Sequence, residues 1–321
     1  MRPQGGRQKR WVVREGDGVT VADIVRRAGE EPSAVEEGRV FVGRARVKSG
    51  SEPVKPGDEV KIGAAAAPGK IAGTGAGAAE WSVLWRKGGL LACAKPAGIP
   101  TVPDHRGASH SLVVLAAQSL GRKPDELFVT SRLDREVSGV VVFATDSDAE
   151  AGLRRARENG QYVRRYVAIV ADAERLTEAK GLWEAPIGAG KDALHRAVSG
   201  PDAKPAQTRW AVVARTAGFA MLAVAPQTGR THQIRVHASH AGAPLVGDRD
   251  YGGPSRLTLP NGRTVALARI ALHAARVTVP GPGGEPLVAS APIPVELERI
   301  WAELGGAAEA WQEALSCKLE P

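Results

Sequence analysis

Residues 63 to 80 read GAAAAPGKIAGTGAGAAE, a stretch dominated by Gly and Ala with no apolar periodicity. It has no side chains with which to build a buried face, so it reads as a flexible linker, and the chain cannot be one continuous fold. The 321 residues are also enough for roughly two domains. Gly73, Gly75 and Gly77 do not rescue a dinucleotide loop, because no strand precedes them, the glycine spacing is broken and no βαβ unit follows. The organisation expected is a basic tail at 1 to 14, a small module at 15 to 62, the linker, and a large domain at 81 to 321.

Charge divides along the same lines. The chain carries 43 Lys and Arg against 35 Asp and Glu, a net +8. Arg2, Arg7, Lys9, Arg10 and Arg14 meet no acid in the first 14 residues, whereas residues 15 to 62 sum to −2. A basic balance favours polyanions without choosing among them. Within the module, Val19 to Gly29 predicts a short amphipathic helix with Thr20 as N-cap, and Glu37 to Gly43 and Lys55 to Ile62 each predict a turn entering a strand.

Beyond the linker, Ser82 to Trp85 and Leu90 to Ala94 flank the turn Arg86-Lys87-Gly88-Gly89, a hairpin signal. Ser111 to Leu120 predicts a helix ending at Gly121. Val140 to Ala144 predicts a buried strand, followed by a helix capped by a Ser147/Glu150 box. Tyr166 to Val170, Thr208 to Ala214, Phe219 to Ala225 and Ala275 to Val279 predict further strands. Pro294 to Leu315 predicts a helix broken at Gly305-Gly306. The class expected is α+β with a mixed, mostly antiparallel sheet.

Two polar clusters next to buried strands call for an explanation. In Thr130-Ser131-Arg132-Leu133-Asp134-Arg135-Glu136-Val137-Ser138-Gly139, Asp134 lies between two arginines that can keep it ionised, and an oriented carboxylate can act as nucleophile or base. On composition alone a surface ion pair is the commoner outcome. The second cluster, Gln227 to His240, carries Arg230 and Arg235, suited to phosphate or a buried carboxylate. Its His232, His237 and His240 are spaced five and three apart, do not share one helix face, and lack a carboxylate or cysteine to complete a metal set. Tyr166 can offer a ring for base stacking, although core tyrosine is the commoner reading. No nucleophile elbow, P-loop or paired-carboxylate signature is present.

Taken in order, these segments resemble the RluA-type family of RNA pseudouridine synthases: Lys95-Pro96-Ala97-Gly98, Arg132-Leu133-Asp134 with Ser138-Gly139, and Arg165-Tyr166-Val167-Ala168. The match continues with Lys204 to Thr208, Thr228 to His237, Gly247-Asp248-Arg249-Asp250-Tyr251 and Leu272-His273-Ala274. The resemblance implies a mostly antiparallel synthase fold with Asp134 as catalytic aspartate, Tyr166 as the ring stacked on the target uracil and Arg235 as the partner of Asp134. It implies that Arg132 enters the RNA where the base has left, and Arg230, His232 and Lys95 complete the RNA-binding set. It implies no cofactor and no metal. The family usually has His in place of Ser131 and Thr in place of Val137.

Residues 15 to 62 also resemble the small alpha-L RNA-binding module of a ribosomal small-subunit protein. The activity expected is isomerisation of uridines in RNA, with ribosomal RNA favoured over transfer RNA. The competing reading is a catalytically silent RNA-binding or ribosome-assembly factor. Two cysteines, no secretory leader and no apolar run near roughly 18 residues lead to the expectation of a cytoplasmic monomer without a membrane segment.

Overall fold

The computed structural model describes residues 9–30, 33–36, 40–43, 45–47, 49–62, 80–103, 111–192, 195–259 and 262–319. The expected linker, apart from Glu80, and the first eight residues of the expected tail lie outside them. The described residues fall into two compact units, one containing residues 9–62 and the other residues 80–102 and 111–319.

In the small unit the helix Val21–Arg27 begins as expected. Thr20 accepts from the Asp23 N–H, and Asp23 reaches back to the Thr20 N–H, so two otherwise unpaired donors are satisfied. Val21, Ile24 and Val25 pack with Val40, Val60 and Ile62 from a four-stranded antiparallel sheet. One edge of that sheet corrects the expected tail. Lys9–Val12 is a strand paired with Glu59–Ile62, Lys9 opposite Ile62 and Val12 opposite Glu59. Only Trp11 of these four side chains is even partly buried, so hydrophobic patterning could not reveal the strand; backbone pairing and an ion pair from Lys9 to Glu30 hold it.

The large unit is built on one ten-stranded sheet. Its central path runs Lys180–Glu184, Gln207–Thr216, Phe219–Pro226, Val163–Ala171, Leu272–Pro280, Ser138–Ala144, Leu90–Lys95 and Ser82–Lys87, with short strands Pro286–Ser290 and Phe128–Val129 on its flanks. Every pairing is antiparallel except that between Leu272–Pro280 and Ser138–Ala144, where His273 faces Ser138 and Ala274 faces Gly139. Gly139 (φ 124°) is required there, because a Cβ would sit 2.5 Å or less from the backbone of Ala274. The α+β class and mostly antiparallel sheet agree with the sequence reading.

All seven residues of Ser138–Ala144 are buried, because helices cover both faces of the sheet. Leu112–Ser119 and Gln233–His240 contribute to the core around Tyr166, Leu222 and Val224. Val295–Glu303 and Glu309–Ser316, separated around Gly305 and Gly306 as expected, pack on another face through Trp301 and Trp311. Two local expectations change. The hairpin turns on Gly88 and Gly89 alone, both at positive φ. The helix Ser147–Glu158 is capped by Asp146, whose extended backbone lets its carboxylate accept from the Ala149 N–H at 2.8 Å, so Ser147 already lies inside the helix.

Candidate active site

Asp134 sits in a loop fixed from below. The Leu133 N–H donates to Thr101 Oγ1 at 2.9 Å and the same hydroxyl donates to the Leu133 carbonyl at 2.8 Å. The Gly98 N–H donates to the Arg135 carbonyl at 2.8 Å. Lys95 lies beneath the loop, 2% exposed, and its ammonium donates to the carbonyls of Ile99 (2.7 Å), Pro96 (3.0 Å) and Arg135 (3.2 Å). Three acceptors match the three hydrogens of an ammonium, while burial pushes the Lys95 pKa down to about 7. The expected RNA contact for Lys95 is therefore corrected: this lysine braces the loop from inside. A lysine near glycine and proline reads as a surface residue, and only the sheet places it in the interior.

Arg235 is 3% exposed and joins three carboxylates. Its Nε and Nη2 donate to both oxygens of Asp248 at 2.8 Å, Nη2 also donates to Asp250, and Nη1 donates to Asp134 Oδ2 at 2.9 Å. Burial alone would lower the arginine pKa, but the Asp248 and Asp134 carboxylates outweigh it and hold the guanidinium firmly charged. The Tyr251 ring lies 4.8 Å from the guanidinium carbon. Asp134 itself is 26% exposed at the side chain, and its Oδ1 accepts no hydrogen bond from the described residues.

Tyr166 comes from the strand Val163–Ala171, is 8% exposed and belongs to the same apolar core as Leu133. Burial raises its phenol pKa, and the negative charge of Asp134 acts in the same direction. Ser131, one of the two departures from the family, has a partner: its hydroxyl and that of Tyr162 lie 3.0 Å apart. The Tyr162 ring in turn carries the Arg157 guanidinium 4.6 Å from its centroid. Val137, the other departure, is buried in the apolar core. Arg132, between the tethered Ser131 and Leu133, is exposed.

The segment before the helix Gln233–His240 is organised by Gln233. Its Oε1 accepts from the Arg230 N–H and the Thr228 hydroxyl, and its Nε2 donates to the Gln207 carbonyl and to Thr208 Oγ1. Arg230 is exposed, with Nε on the Pro205 carbonyl at 3.1 Å. His232 precedes the helix in left-handed backbone (φ 57°), with Nδ1 2.8 Å from the Tyr251 hydroxyl and Nε2 3.8 Å from Asp134 Oδ2. His237 is buried with both nitrogens engaged, on Thr208 Oγ1 and the Ala185 carbonyl. Among the described residues no group of three His, Cys, Asp or Glu side chains is placed to hold a metal.

Asp134, Arg235 and His232 are thus brought together, Tyr166 lines the same region, Arg132 and Arg230 face outward, and Lys95 does not. Family likeness brings Asp248, Asp250 and Tyr251 into the matched segments without a role, and nothing in the sequence marks Thr101 or Tyr162. The partnership of Arg235 with Asp248 spans 13 residues and crosses from a helix to a one-turn helix, a spacing with no periodic signature.

A family model described as RNA pseudouridylate synthase matches residues 89–240. An uncharacterised RNA pseudouridine synthase of Bacillus subtilis is 34% identical over 226 residues, covering 69% of this chain and 71% of that protein. The ribosomal large subunit pseudouridine synthase D of Xanthomonas campestris is 35% identical over 237 residues, covering 70% of this chain and 69% of its own length. Human RNA pseudouridylate synthase domain containing 1 shares the fold at a TM-score of 0.57 and 23% identity, over 75% of this chain and 97% of that one.

Proposed function

Since the chain belongs to the RluA-type RNA pseudouridine synthase family and is an RNA pseudouridine synthase, we propose that Asp134 is its catalytic carboxylate, Tyr166 the ring that holds the detached uracil, and Arg235 the group that pairs with Asp134 and aims it. One observation carries this reading. Arg235 donates to Asp134 Oδ2 at 2.9 Å, and no hydrogen bond from the described residues falls on Oδ1 of this partly exposed side chain. The isomerisation breaks the N1–C1′ bond, makes the C5–C1′ bond and exchanges the C5 proton for one on N1, so no oxidant or cofactor enters the balance. The target base must first leave its stack, and exposed Arg132 takes its place. Asp134 then works at the sugar, by attack at C1′ or removal of the 2′ proton; both routes need an ionised carboxylate with one free oxygen. Tyr166 and the apolar wall keep free uracil in place while it turns.

The substrate proposed is ribosomal RNA of the large subunit, the RNA named for several relatives, with Arg230 on its backbone and the module at 15 to 62 as a second RNA contact. The enzyme acts as a cytoplasmic monomer in this reading, joined to its module by the Gly/Ala segment. No helix among the described residues is long and apolar enough to cross a membrane. Pseudouridines mapped across total RNA from cells with and without the protein test the substrate: specific positions in large-subunit RNA should disappear. Loss confined to transfer RNA would overturn the ribosomal assignment, and full modification by an Asp134→Ala protein would overturn the site.

A further inference from the structure

Three tyrosines are present in the chain, and Tyr251 is the one whose hydroxyl is engaged on two sides beside the Asp134 carboxylate. It accepts from the Arg196 N–H at 2.9 Å and lies 2.8 Å from His232 Nδ1. Because one side of the oxygen is taken by a backbone donor, the phenol proton has His232 Nδ1 as its acceptor; the reverse arrangement, with Nδ1 protonated, strands the phenol proton without an acceptor among the described residues. The imidazole proton then resides on Nε2. That nitrogen is the one that faces Asp134 Oδ2, at 3.8 Å. The ring is held at this angle by edge-on contact with Tyr251, centroids 5.7 Å apart.

The backbone adds an independent observation. His232 occupies left-handed space at φ 57°, a conformation in which a Cβ is strained and which glycine would fill freely. Tertiary structure keeps a histidine there all the same. Burial depresses the His232 pKa, with Asp134 and Asp248 opposing that shift and Arg235 and Arg196 adding to it, so the ring is neutral at neutral pH and one nitrogen must carry the proton.

We infer that His232, locked by Tyr251 as the Nε2–H tautomer, is a positioning residue for Asp134: a second donor on the same carboxylate oxygen as Arg235, which closes to hydrogen-bond distance when RNA fills the site. Two donors on Oδ2 fix the carboxylate plane and direct Oδ1 at the sugar. The inference rests on the assignment of Asp134 as the catalytic carboxylate and moves His232 from the RNA-contact set to the aspartate. At 3.8 Å the contact is too long to be a hydrogen bond in the free protein, in keeping with catalytic contacts that tighten only once substrate is bound.

The test is single-turnover pseudouridine formation by the full chain, in excess over total RNA extracted from cells lacking the protein, alongside RNA affinity and thermal unfolding. His232→Gly relaxes the backbone and removes the donor; it should retain folding and RNA affinity while the rate falls about 10- to 100-fold, the loss expected for a hydrogen bond to a charged group. His232→Gln returns a donor near the Nε2 position and should recover part of that rate. Tyr251→Phe should slow the wild type yet add nothing in the His232→Gly background, because its hydroxyl acts through the imidazole. Weakened RNA binding at an unchanged rate, or fully multiplicative effects of the two substitutions, would overturn the inference. Asp134→Ala separates the layers: if it is inactive while His232→Gly matches wild type, the inference about His232 alone fails, and if Asp134→Ala itself is active, the assignment beneath it fails.

Discussion

Asp17 in the small unit and Asp134 in the large one are both aspartates held by an arginine, and they differ in what is left over. Asp17 spends both oxygens: Oδ2 accepts from the Trp11 indole at 2.9 Å and the Arg14 N–H at 2.8 Å, and Oδ1 from Arg27 at 3.0 Å. Those donors, the Trp11 bond foremost, hold its pKa below the ordinary value. Asp134 spends one oxygen on Arg235 and keeps the other. A carboxylate with both oxygens engaged is a structural knot, whereas one held through a single oxygen is available for chemistry. The arginines differ in parallel: Arg27 is half-exposed on Asp17, but Arg235 is buried among three carboxylates.

The sharpest way to break this contrast is to remove each aspartate. Asp134→Ala should reduce pseudouridine formation to below about one part in a thousand while leaving unfolding near wild type, since Arg235 retains Asp248 and Asp250. Asp17→Ala should do the opposite, loosening the small unit in hydrogen exchange while Asp134 chemistry persists. Next in size is Asp248→Ala. It leaves Arg235 buried with fewer counter-charges and should cost roughly 3–5 kcal/mol in denaturant unfolding of the large unit, with activity lost as well; a stable, active variant would mean that Asp134 needs no anchored arginine.

Acid should separate the two units. His273, buried with Nδ1 2.7 Å from the Ser138 hydroxyl, has its pKa lowered to about 4 by burial. Between that value and the ordinary 6.5 the unfolded chain binds a proton that the native state refuses. The stability is therefore complete above pH 6.5, drains as pH falls toward 4, and is flat below. The shift corresponds to about 3 kcal/mol. Residues 9–62 contain no histidine; Asp17 and Asp23, both depressed, release their stabilisation only below about pH 3.8. Unfolding curves at stepped pH, compared with His273→Gln, should show the large unit weakening first, and simultaneous loss of both units would contradict the assignment. The smallest effect belongs to Tyr162→Phe, which removes a neutral hydrogen bond to Ser131 worth about 1 kcal/mol; a much larger fall in activity than in stability would show that the pair steers Arg132.

Local grammar was legible in the sequence. Thr20 and Asp23, the apolar run at 140 to 144, and the glycine break at 305 and 306 state their structural roles within a few residues of themselves. The pairing of Asp134 with Arg235 was anticipated from family likeness, and nothing in spacing encodes it across 101 positions. The buried place of Lys95 is illegible for a related reason: its three carbonyl partners come from two loops 40 residues apart, and a buried ammonium has no compositional mark. The Lys9–Val12 strand escaped because edge strands are held by backbone bonds, which every sequence possesses.

The single parallel pairing carries a consequence for the birth of the enzyme. The strand Leu272–Pro280 joins the part of the sheet that holds Ser138–Ala144 to the part that holds Val163–Ala171. Asp134 leads into the first part, while Tyr166 and the segment before Arg235 belong to the second. A ribosome that has emitted only the first 270 residues has made every one of these three side chains without the strand that seams them together. A chain ending at residue 270 should therefore form no pseudouridine although it contains Asp134, Tyr166 and Arg235, because the strand that completes the sheet comes last.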